Sequence, residues 1–420
     1  MLVSHKIIRR VLAFFVVVGC YVGCVEPFDA KTESFGNALV VDALLTTEFD
    51  RHRVSLFRTY PFEADGPEAE QGALVSITDN SGTSYRFEET EPGIYLSETP
   101  FAARQGTDYT LDVQTADGKA YRSATVTTPE NVPIDNIEAK RLFNDKGEEG
   151  VSILLDNALP SETPNYFRFE YEETYKIVAP NWDPFEFEVV HYIPCDTIPY
   201  QVDIKVQTEE RKVCYGSATS NAVIQTSTVG LTENKVNDFN IRFIGRDNYI
   251  MSHRYSILVR QFSQTQDAHS YYERLGDFSS SDNIFSQIQP GFLEGNVRSI
   301  SDESEKVLGY FEVAAVEERR EYFNYDDLFP GEELPPYVVN CATPGNPQLY
   351  SFGYHCADFR VCDGACESPL IEAILAGNVV FHSVNENGSA DQPGPYFTLP
   401  SPCGDCTKLG SNIVPDFWTE

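Results

Sequence analysis

Short β-strand patterns follow one another closely between residues 38 and 128, and this spacing constrains the fold more than any other feature of the sequence. Apolar and polar residues alternate, as in Tyr109, Leu111 and Val113, and turn residues such as Asp117-Gly118 separate the runs. The predicted strands are Ala38–Leu45, Val54–Phe57, Ala73–Thr78, Tyr85–Phe87, Ile94–Leu96, Thr107–Val113 and Tyr121–Val126. About seven strands in some 90 residues indicate an immunoglobulin-like or transthyretin-like β-sandwich.

The pattern from Ile134 to Glu333 remains mostly β, with longer strands. The predicted strands are Val151–Leu155, Tyr166–Tyr171, Phe185–Tyr192, Phe239–Ile244, Tyr255–Val259 and Tyr310–Val316. One amphipathic helix is predicted over Asp267–Phe278, with Gly276 ending it. Its apolar face, which includes Tyr271 and Tyr272, is expected to pack against a sheet rather than to bind a ligand.

The first 24 residues carry the pattern of a bacterial lipoprotein signal. A basic segment precedes the apolar run Val11–Val18, which is too short to span a bilayer, and small residues precede Cys20 and Cys24. Cleavage before a lipidated cysteine would anchor the chain by acyl groups, whereas an uncut N-terminal anchor is less favoured. We predict lipidation of Cys24, with Cys20 as the alternative, because the segment after Cys24 is polar and acidic.

The formal net charge is −33, or −36 after removal of the three cations of the signal. Such a surface repels nucleic-acid backbones and anionic headgroups, so the sequence argues against nucleic-acid binding. High Tyr and Phe content with only 2 Trp and 2 Met favours strands over helical bundles.

Eight cysteines follow the signal, an even number that predicts disulfides in an exported chain. They are Cys195, Cys214, Cys341, Cys356, Cys362, Cys366, Cys403 and Cys406. We predict that Cys195 pairs with Cys214, while the last six permit 15 connectivities. The alternative is a zinc site of four thiolates from Cys362, Cys366, Cys403 and Cys406.

The sequence therefore predicts a mainly β chain in five parts. These are a lipoprotein signal peptide (1–23), a tether (24–37), an immunoglobulin-like or transthyretin-like sandwich (38–130), a larger β-rich domain with one short helix (131–333), and a disulfide-rich C-terminal segment (334–420).

No local catalytic motif is found. The seven histidines are scattered, and adjacent acids such as Glu88-Glu89 are more simply explained as solvated strand edges. The segment Asn385–Asp391 has alternating oxygen side chains around Gly388, but it lacks the acidic start and the distal Glu of a calcium hand. We predict a protein that is not an enzyme and has no cofactor, with structural calcium or zinc and a carboxylate-dependent hydrolase as weaker alternatives.

Two apolar segments lie outside the periodic core. The loop Ser279–Gly295 contains Ile284, Phe285, Ile288 and Phe292, and the chain ends on a run with Val414, Phe417 and Trp418. Aromatic anchors of this kind often dominate an interface. We predict that Phe285 and Phe292 bind a partner, and we slightly favour packing of the C-terminal run on its own domain.

Several short motifs resemble those of the Bacteroidota lipoprotein family known only as domain of unknown function 4249. They are Cys24-Val25-Glu26-Pro27-Phe28-Asp29, Gly72-Ala73-x-Val75-x-Ile77-x-Asp79 with Gly82 and Tyr85, Pro92-Gly93-x-Tyr95, Gly106-x-x-Tyr109-x-Leu111-x-Val113, Asp117-Gly118-Lys119-x-Tyr121-x-Ser123, Pro133-Ile134-Asp135-x-Ile137, Cys403-x-x-Cys406 and Pro415-Asp416-Phe417-Trp418. Their order and spacing cover nearly the whole mature chain.

The resemblance implies a two-part β-protein, lipid-anchored in the outer membrane and exposed at the cell surface. It also implies a partner, a SusC-like TonB-dependent outer-membrane barrel, and it transfers no catalytic residues. The expected function is that of an accessory subunit of such a transporter, either a lid or a ligand-capture protein. The alternative is a non-catalytic structural or assembly subunit of a larger outer-membrane complex.

Overall fold

The computed structural model describes residues 37–60, 66–158, 165–194, 198–280, 293–351, 366–389 and 393–420. Its first strands are β1 (Leu39–Thr46), β2 (Arg53–Arg58), β3 (Glu68–Ala69), β4 (Leu74–Asp79), β5 (Ser84–Glu91), β6 (Ile94–Ser97), β7 (Asp108–Gln114), β8 (Ala120–Ser123) and β9 (Val126–Thr127). All seven strands predicted in this region are present, and the last one is divided into β8 and β9.

The later elements are also mostly strands. They are β10 (Ile134–Phe143), β11 (Glu149–Ala158), β12 (Tyr166–Val178), β13 (Phe185–His191), β14 (Gln201–Val206), β15 (Val213–Thr219), β16 (Ile224–Ser227), β17 (Lys235–Gly245), β18 (Arg254–Gln264), β19 (Val297–Ser299), β20 (Val307–Asn324), β21 (Val379–Val384) and β22 (Tyr396–Pro400). The chain is therefore mainly β, as predicted.

The longest helix of the described residues is α1 (Gln266–Ser280), which contains the predicted helix. It continues past Gly276, so the prediction that this glycine ends the helix is wrong. Three shorter helices are α2 (Tyr325–Leu328), α3 (Pro369–Leu375) and α4 (Ser401–Gly404), and single 3-10 turns occur at Tyr249–Met251 and Cys406–Lys408. Among the described residues, no helix is both long enough and apolar enough to cross a bilayer.

Most strands belong to one sheet with the order β15-β12-β18-β20-β1-β2-β6-β5-β4-β7-β8-β19. β16 also pairs with β12, β3 with β2, and β9 with β7. Separate small sheets are formed by β10-β11-β17, by β13-β14 and by β21-β22.

The 18-residue strand β20 links the two halves of this sheet. Its first part pairs with β1 in parallel, from Leu39 opposite Val307 to Thr46 opposite Ala314. Its second part pairs with β18 in antiparallel fashion. At about 3.3 Å per residue, β20 is about 60 Å long. The later strands β19 and β20 thus pair with β8 and β1, which lie before the predicted boundary at residue 130. The division into separate domains stays a prediction.

Two main cores lie along this sheet. The first unit, made of β1–β9 with β19 and the start of β20, encloses fully buried residues such as Leu39, Tyr95 and Phe311. In the second unit, the small sheet β10-β11-β17 covers β12, β18 and the end of β20, and the core between them includes Ile153 and Ile257. We call this arrangement the second sandwich. Apolar burial of this kind is the main stabilising contribution.

Buried side-chain amides hold the segment that connects the two units, which includes Val132, against the second unit. Gln261 Nε2 donates to the carbonyl oxygen of Val132 at 2.7 Å, and Asn157 Nδ2 donates to Gln261 Oε1 at 2.6 Å. All three residues are buried, so each bond also satisfies a polar group removed from water.

Candidate functional site

A cleft of about 850 Å³ lies where α1 meets the edge of the first unit. One wall comes from β8, β9 and β19, and the other from the first half of α1 and from Tyr310 on β20. We call it the α1 cleft. Its volume is within the range of sites that bind small molecules.

Aromatic packing fixes α1 beside the cleft. Ala268 and Tyr271 are buried, and the ring of Tyr271 stacks on that of Tyr310 with a centroid distance of 4.7 Å. Thr265 Oγ1 accepts a hydrogen bond from the Ala268 amide, as a capping residue does at the start of a helix. The aromatic face of α1 thus packs against the sheet, as the sequence analysis expects.

A buried ionic network joins α1 to the strands behind it. Glu312 on β20 is fully buried and accepts hydrogen bonds from Arg168 Nη2 at 3.0 Å and from Gln264 Nε2 at 2.7 Å. The Arg168 guanidinium lies over the rings of Phe262 and Tyr272, at 4.2 and 4.8 Å from their centroids. Burial, and then the charge of Glu312, raise the pKa of Tyr272 well above its usual range. The wall of the cleft is therefore held by contacts from α1, β12, β18 and β20.

Three arginines, Arg122, Arg274 and Arg298, line the α1 cleft. Arg122 Nε is 2.6 Å from Asp112 Oδ1, and Arg298 Nη2 is 3.6 Å from Glu294 Oε1, at a highly exposed pair. Arg274 Nε donates only to the carbonyl oxygen of Ser270, 3.1 Å away on the same helix, among the contacts of the described residues. Exposed pairs of this kind contribute little to stability, so these side chains can contact a ligand at low cost.

A second hollow of about 730 Å³ continues the cleft over the outer face of β4, β5, β7 and β8. The two cavities share Arg122 and Ile300, and the second adds Arg86. Leu74 is 71% exposed and Ile300 is 55% exposed on this face. Together the cavities form one concave surface with cationic and apolar groups.

No local sequence pattern predicts that these arginines form a site. Arg122, Arg274 and Arg298 come from β8, α1 and β19 and share no motif. The one sequence signal was indirect, since cations are scarce in this chain, with 31 Lys and Arg against 64 Asp and Glu.

Two buried or partly buried histidines, His52 and His269, pack among residues of their own part of the fold. His52 is buried, and its Nε2 lies 2.8 Å from the carbonyl oxygen of Phe101. His269 packs beside the ring of Tyr166, and burial lowers the pKa of both imidazoles. No group of three His, Cys, Asp or Glu side chains that could hold a metal ion occurs among the described residues. The described part of the proposed calcium segment forms a turn, with Asn385 Nδ2 donating to the Gly394 carbonyl.

The disulfides correct one prediction. Cys214 pairs with Cys406, not with Cys195, and Cys341 pairs with Cys403. The reason is spatial: the amide of Cys406 donates to the carbonyl of Arg211, which brings the 3-10 turn beside β15. Cys366 is also disulfide-bonded. The sulfurs of Cys403 and Cys406, which the zinc alternative requires as thiolates, are both used in these bonds.

The C-terminal run packs on its own chain. The Trp418 ring lies 4.9 Å from that of Tyr215, the Arg320 guanidinium lies 3.6 Å from the centroid of Phe417, and Tyr322 Oη donates to the Phe417 carbonyl at 2.5 Å. Packing of Phe417 and Trp418 on the chain itself agrees with the expectation, but they pack on β15 and β20 rather than within the C-terminal segment, and Val414 is 56% exposed.

Several predicted site residues lie outside the described residues. They are Cys20, Cys24, Cys195, Ile284, Phe285, Ile288, Phe292, Cys356 and Cys362. Lipidation at Cys24 and partner binding by Phe285 and Phe292 therefore stay predictions.

Comparison with known proteins identifies a family but no activity. No curated protein sequence matches the chain. Among solved structures, the crystal structure of a DUF4785 family protein from Legionella pneumophila is similar at 11% identity, with a TM-score of 0.18, and the match covers 53% of this chain and 52% of that chain. The chain thus spans about half the length of that protein, and so low a TM-score does not establish a common fold.

The family comparison agrees with the motifs found in the sequence. Residues 25–320, more than half of the chain, match the family described as "Domain of unknown function (DUF4249)", and the chain belongs to that family.

Proposed function

We propose that this protein is a lipid-anchored, non-catalytic accessory subunit of a SusC-like TonB-dependent transporter in the outer membrane of a Bacteroidota species. In this role it captures a ligand for the transporter or covers its opening. The lipoprotein signal ending at Cys24 supports the anchor. The position of the α1 cleft relative to the point where the tether leaves the fold supports capture.

The direction of β20 sets the position of the α1 cleft relative to the tether. The tether ends at Asn37, and β1 begins at Leu39, opposite the first residue of β20. The second sandwich uses the other end of β20, from Ala315 to Asn324. Tyr310, which lines the cleft, is only the fourth residue of β20. The α1 cleft therefore lies toward the end of the fold where the described chain begins, which is the end to which the proposed anchor would attach.

The alternative is a structural or assembly subunit of a larger envelope complex. One observation favours it: Val190, Ile193 and Ile198, at the connection between β13 and β14, are each about half exposed. Apolar side chains grouped in this way are typical of a surface that binds another protein.

The deciding experiment is affinity purification of the tagged full-length chain from outer membranes in mild detergent. Recovery of one TonB-dependent barrel supports the accessory role, and recovery of a set of several envelope proteins supports the alternative. Recovery of neither contradicts both roles.

The Cys24→Ala variant tests the anchor, because it should remain unprocessed or leave the membrane fraction, whereas Cys20→Ala should behave as the unchanged protein.

A further inference from the structure

We propose that the α1 cleft binds a small molecule through an anionic group, a carboxylate or a phosphate, held by Arg122, Arg274 and Arg298. The inference names the chemistry of the ligand and rests on the capture role proposed above. It is carried by the cavity, by the charges that line it and by the unused hydrogen-bonding groups of the arginines.

The lining of the cleft is richer in cations than the chain as a whole. Three of the sixteen residues that line the cleft are arginines, and two, Asp267 and Glu294, are acids. In the whole chain the acids outnumber Lys and Arg by 64 to 31. Most of this surface repels an anion, so a local excess of cations concentrates an anionic ligand at the cleft.

The geometry of the donors favours an oxyanion. Guanidinium groups present paired N–H donors that match carboxylate and phosphate oxygens. The contact of Arg122 with Asp112 at 2.6 Å leaves its other N–H groups free of any partner among the described residues. Arg274 has no carboxylate partner within hydrogen-bonding distance among the described residues, although it lies in a chain rich in acids. Its charge is therefore available to an anion without the loss of an existing ion pair.

The start of α1 adds to the same field. Thr265, which caps the helix, and Asp267 and Ser270, in its first turns, line the cleft, and the charge of Asp267 offsets part of this field. A helix start carries partial positive charge, which adds to the attraction of the arginines. The cleft also contains the apolar edge of Ile300, which suits a ligand with a carbon skeleton as well as a charged group.

The test is isothermal titration of the purified full-length protein with citrate and with inorganic pyrophosphate at low ionic strength, and with glucose as a neutral probe. We expect saturable binding of at least one anion and no binding of glucose. Binding of citrate alone identifies a carboxylate site, and binding of pyrophosphate alone identifies a phosphate site. Absence of binding by both anions, or equal binding of glucose, overturns the inference.

Variants locate the site. The double variant Arg274→Gln/Arg298→Gln should weaken anion binding at least about tenfold, because it removes two of the three cationic donors that the site offers to the anion. Arg319→Gln is the matched control, since Arg319 is a partly buried arginine with a carboxylate neighbour and lies outside the cleft. Both variants should unfold thermally at the same temperature as the unchanged protein. Unaltered affinity in the double variant, or equal losses in the double variant and the control, places the anion elsewhere and overturns the inference.

The same samples separate this inference from the proposed function. If the unchanged protein recovers the barrel but binds neither anion, the ligand assignment fails and the accessory role stands. If it binds an anion at the arginines but recovers no barrel, the site stands and the accessory role fails.

Discussion

The close approach of β1 and β20 at Gly309 allows a sharp test of the fold. Gly309 has a φ of +88° and pairs with Val41 in the parallel ladder. A Cβ atom at this position would lie 1.9 Å from the carbonyl oxygen of Val41. Replacement by alanine therefore requires β1 and β20 to separate by more than about 1 Å, because nonbonded carbon and oxygen atoms rarely approach below about 3 Å.

Gly118 provides a matched control. It also has a φ of +88°, but a Cβ atom there would meet no atom within 4 Å. Gly118→Ala should therefore show only the backbone strain, about 1–2 kcal/mol. Gly309→Ala adds the loss of two or three ladder hydrogen bonds at about 1 kcal/mol each. We expect a total loss of about 4 kcal/mol in the free energy of unfolding, at least about twice that of the control.

Urea unfolding of the mature protein measures both losses, and amide hydrogen exchange locates them. In Gly309→Ala, exchange should accelerate at Val41 and its neighbours in β1, whereas in Gly118→Ala it should accelerate only at the β7–β8 turn. Equal losses of stability, or unchanged exchange in β1, would refute the close packing of the parallel pair.

Three further predictions concern buried groups. Glu312→Gln should lower the free energy of unfolding by about 2 kcal/mol, because it removes the fully buried partner of Arg168 and leaves only the more exposed Glu170 paired with it. Glu318→Gln, from an exposed pair, should cost less than about 1 kcal/mol, and equal losses in urea unfolding would contradict this. Burial raises the pKa of Tyr121 to about 12, whereas an unfolded tyrosine ionises near pH 10, so stability should fall between pH 10 and 12, and less steeply in Tyr121→Phe. An equally steep fall in that variant would contradict the assignment. Cys214, bonded across 192 residues, should resist alkylation until reductant is added, and Cys214→Ser should lose about 5 kcal/mol by the chain-entropy argument; a free thiol in the intact mass would contradict the bond.

The local sequence predicts the strands well because alternation and turns are local signals. Thr107–Val113, for example, buries Tyr109, Leu111 and Val113 on one face of β7, as its period of two requires. The strand that pairs with β1 cannot be predicted in this way. β1 pairs in parallel with a strand that begins at Val307, and no local pattern in either strand specifies the other.

The difference between local patterns and long-range pairing also explains why the sequence does not predict the disulfide of Cys214 or the arginines of the cleft. Cys214 is close to Cys195 in sequence but bonds to Cys406, since the C-terminal segment returns to β15, where Tyr215 and Ser411 form a bridge. The arginines of the cleft come together only because β19 pairs with β8 and α1 packs on β20. Sequence can predict which residues are strands or cysteines, but the three-dimensional pairing selects which of them meet.

The packed walls and the exposed arginines of the α1 cleft together indicate how the proposed ligand would bind. Its walls are fixed before a ligand arrives, by the stacking of Tyr271 on Tyr310 and by the buried contacts of Glu312. Arg298, by contrast, is 81% exposed, so its ordering must be offset by the contacts it makes. Affinity should then depend mainly on the charge of the ligand and decrease as ionic strength rises, because exposed charges are strongly screened. Selection among anions of equal charge should then depend on their contacts with the apolar side chain of Ile300 and on how well they fit the shape of the walls.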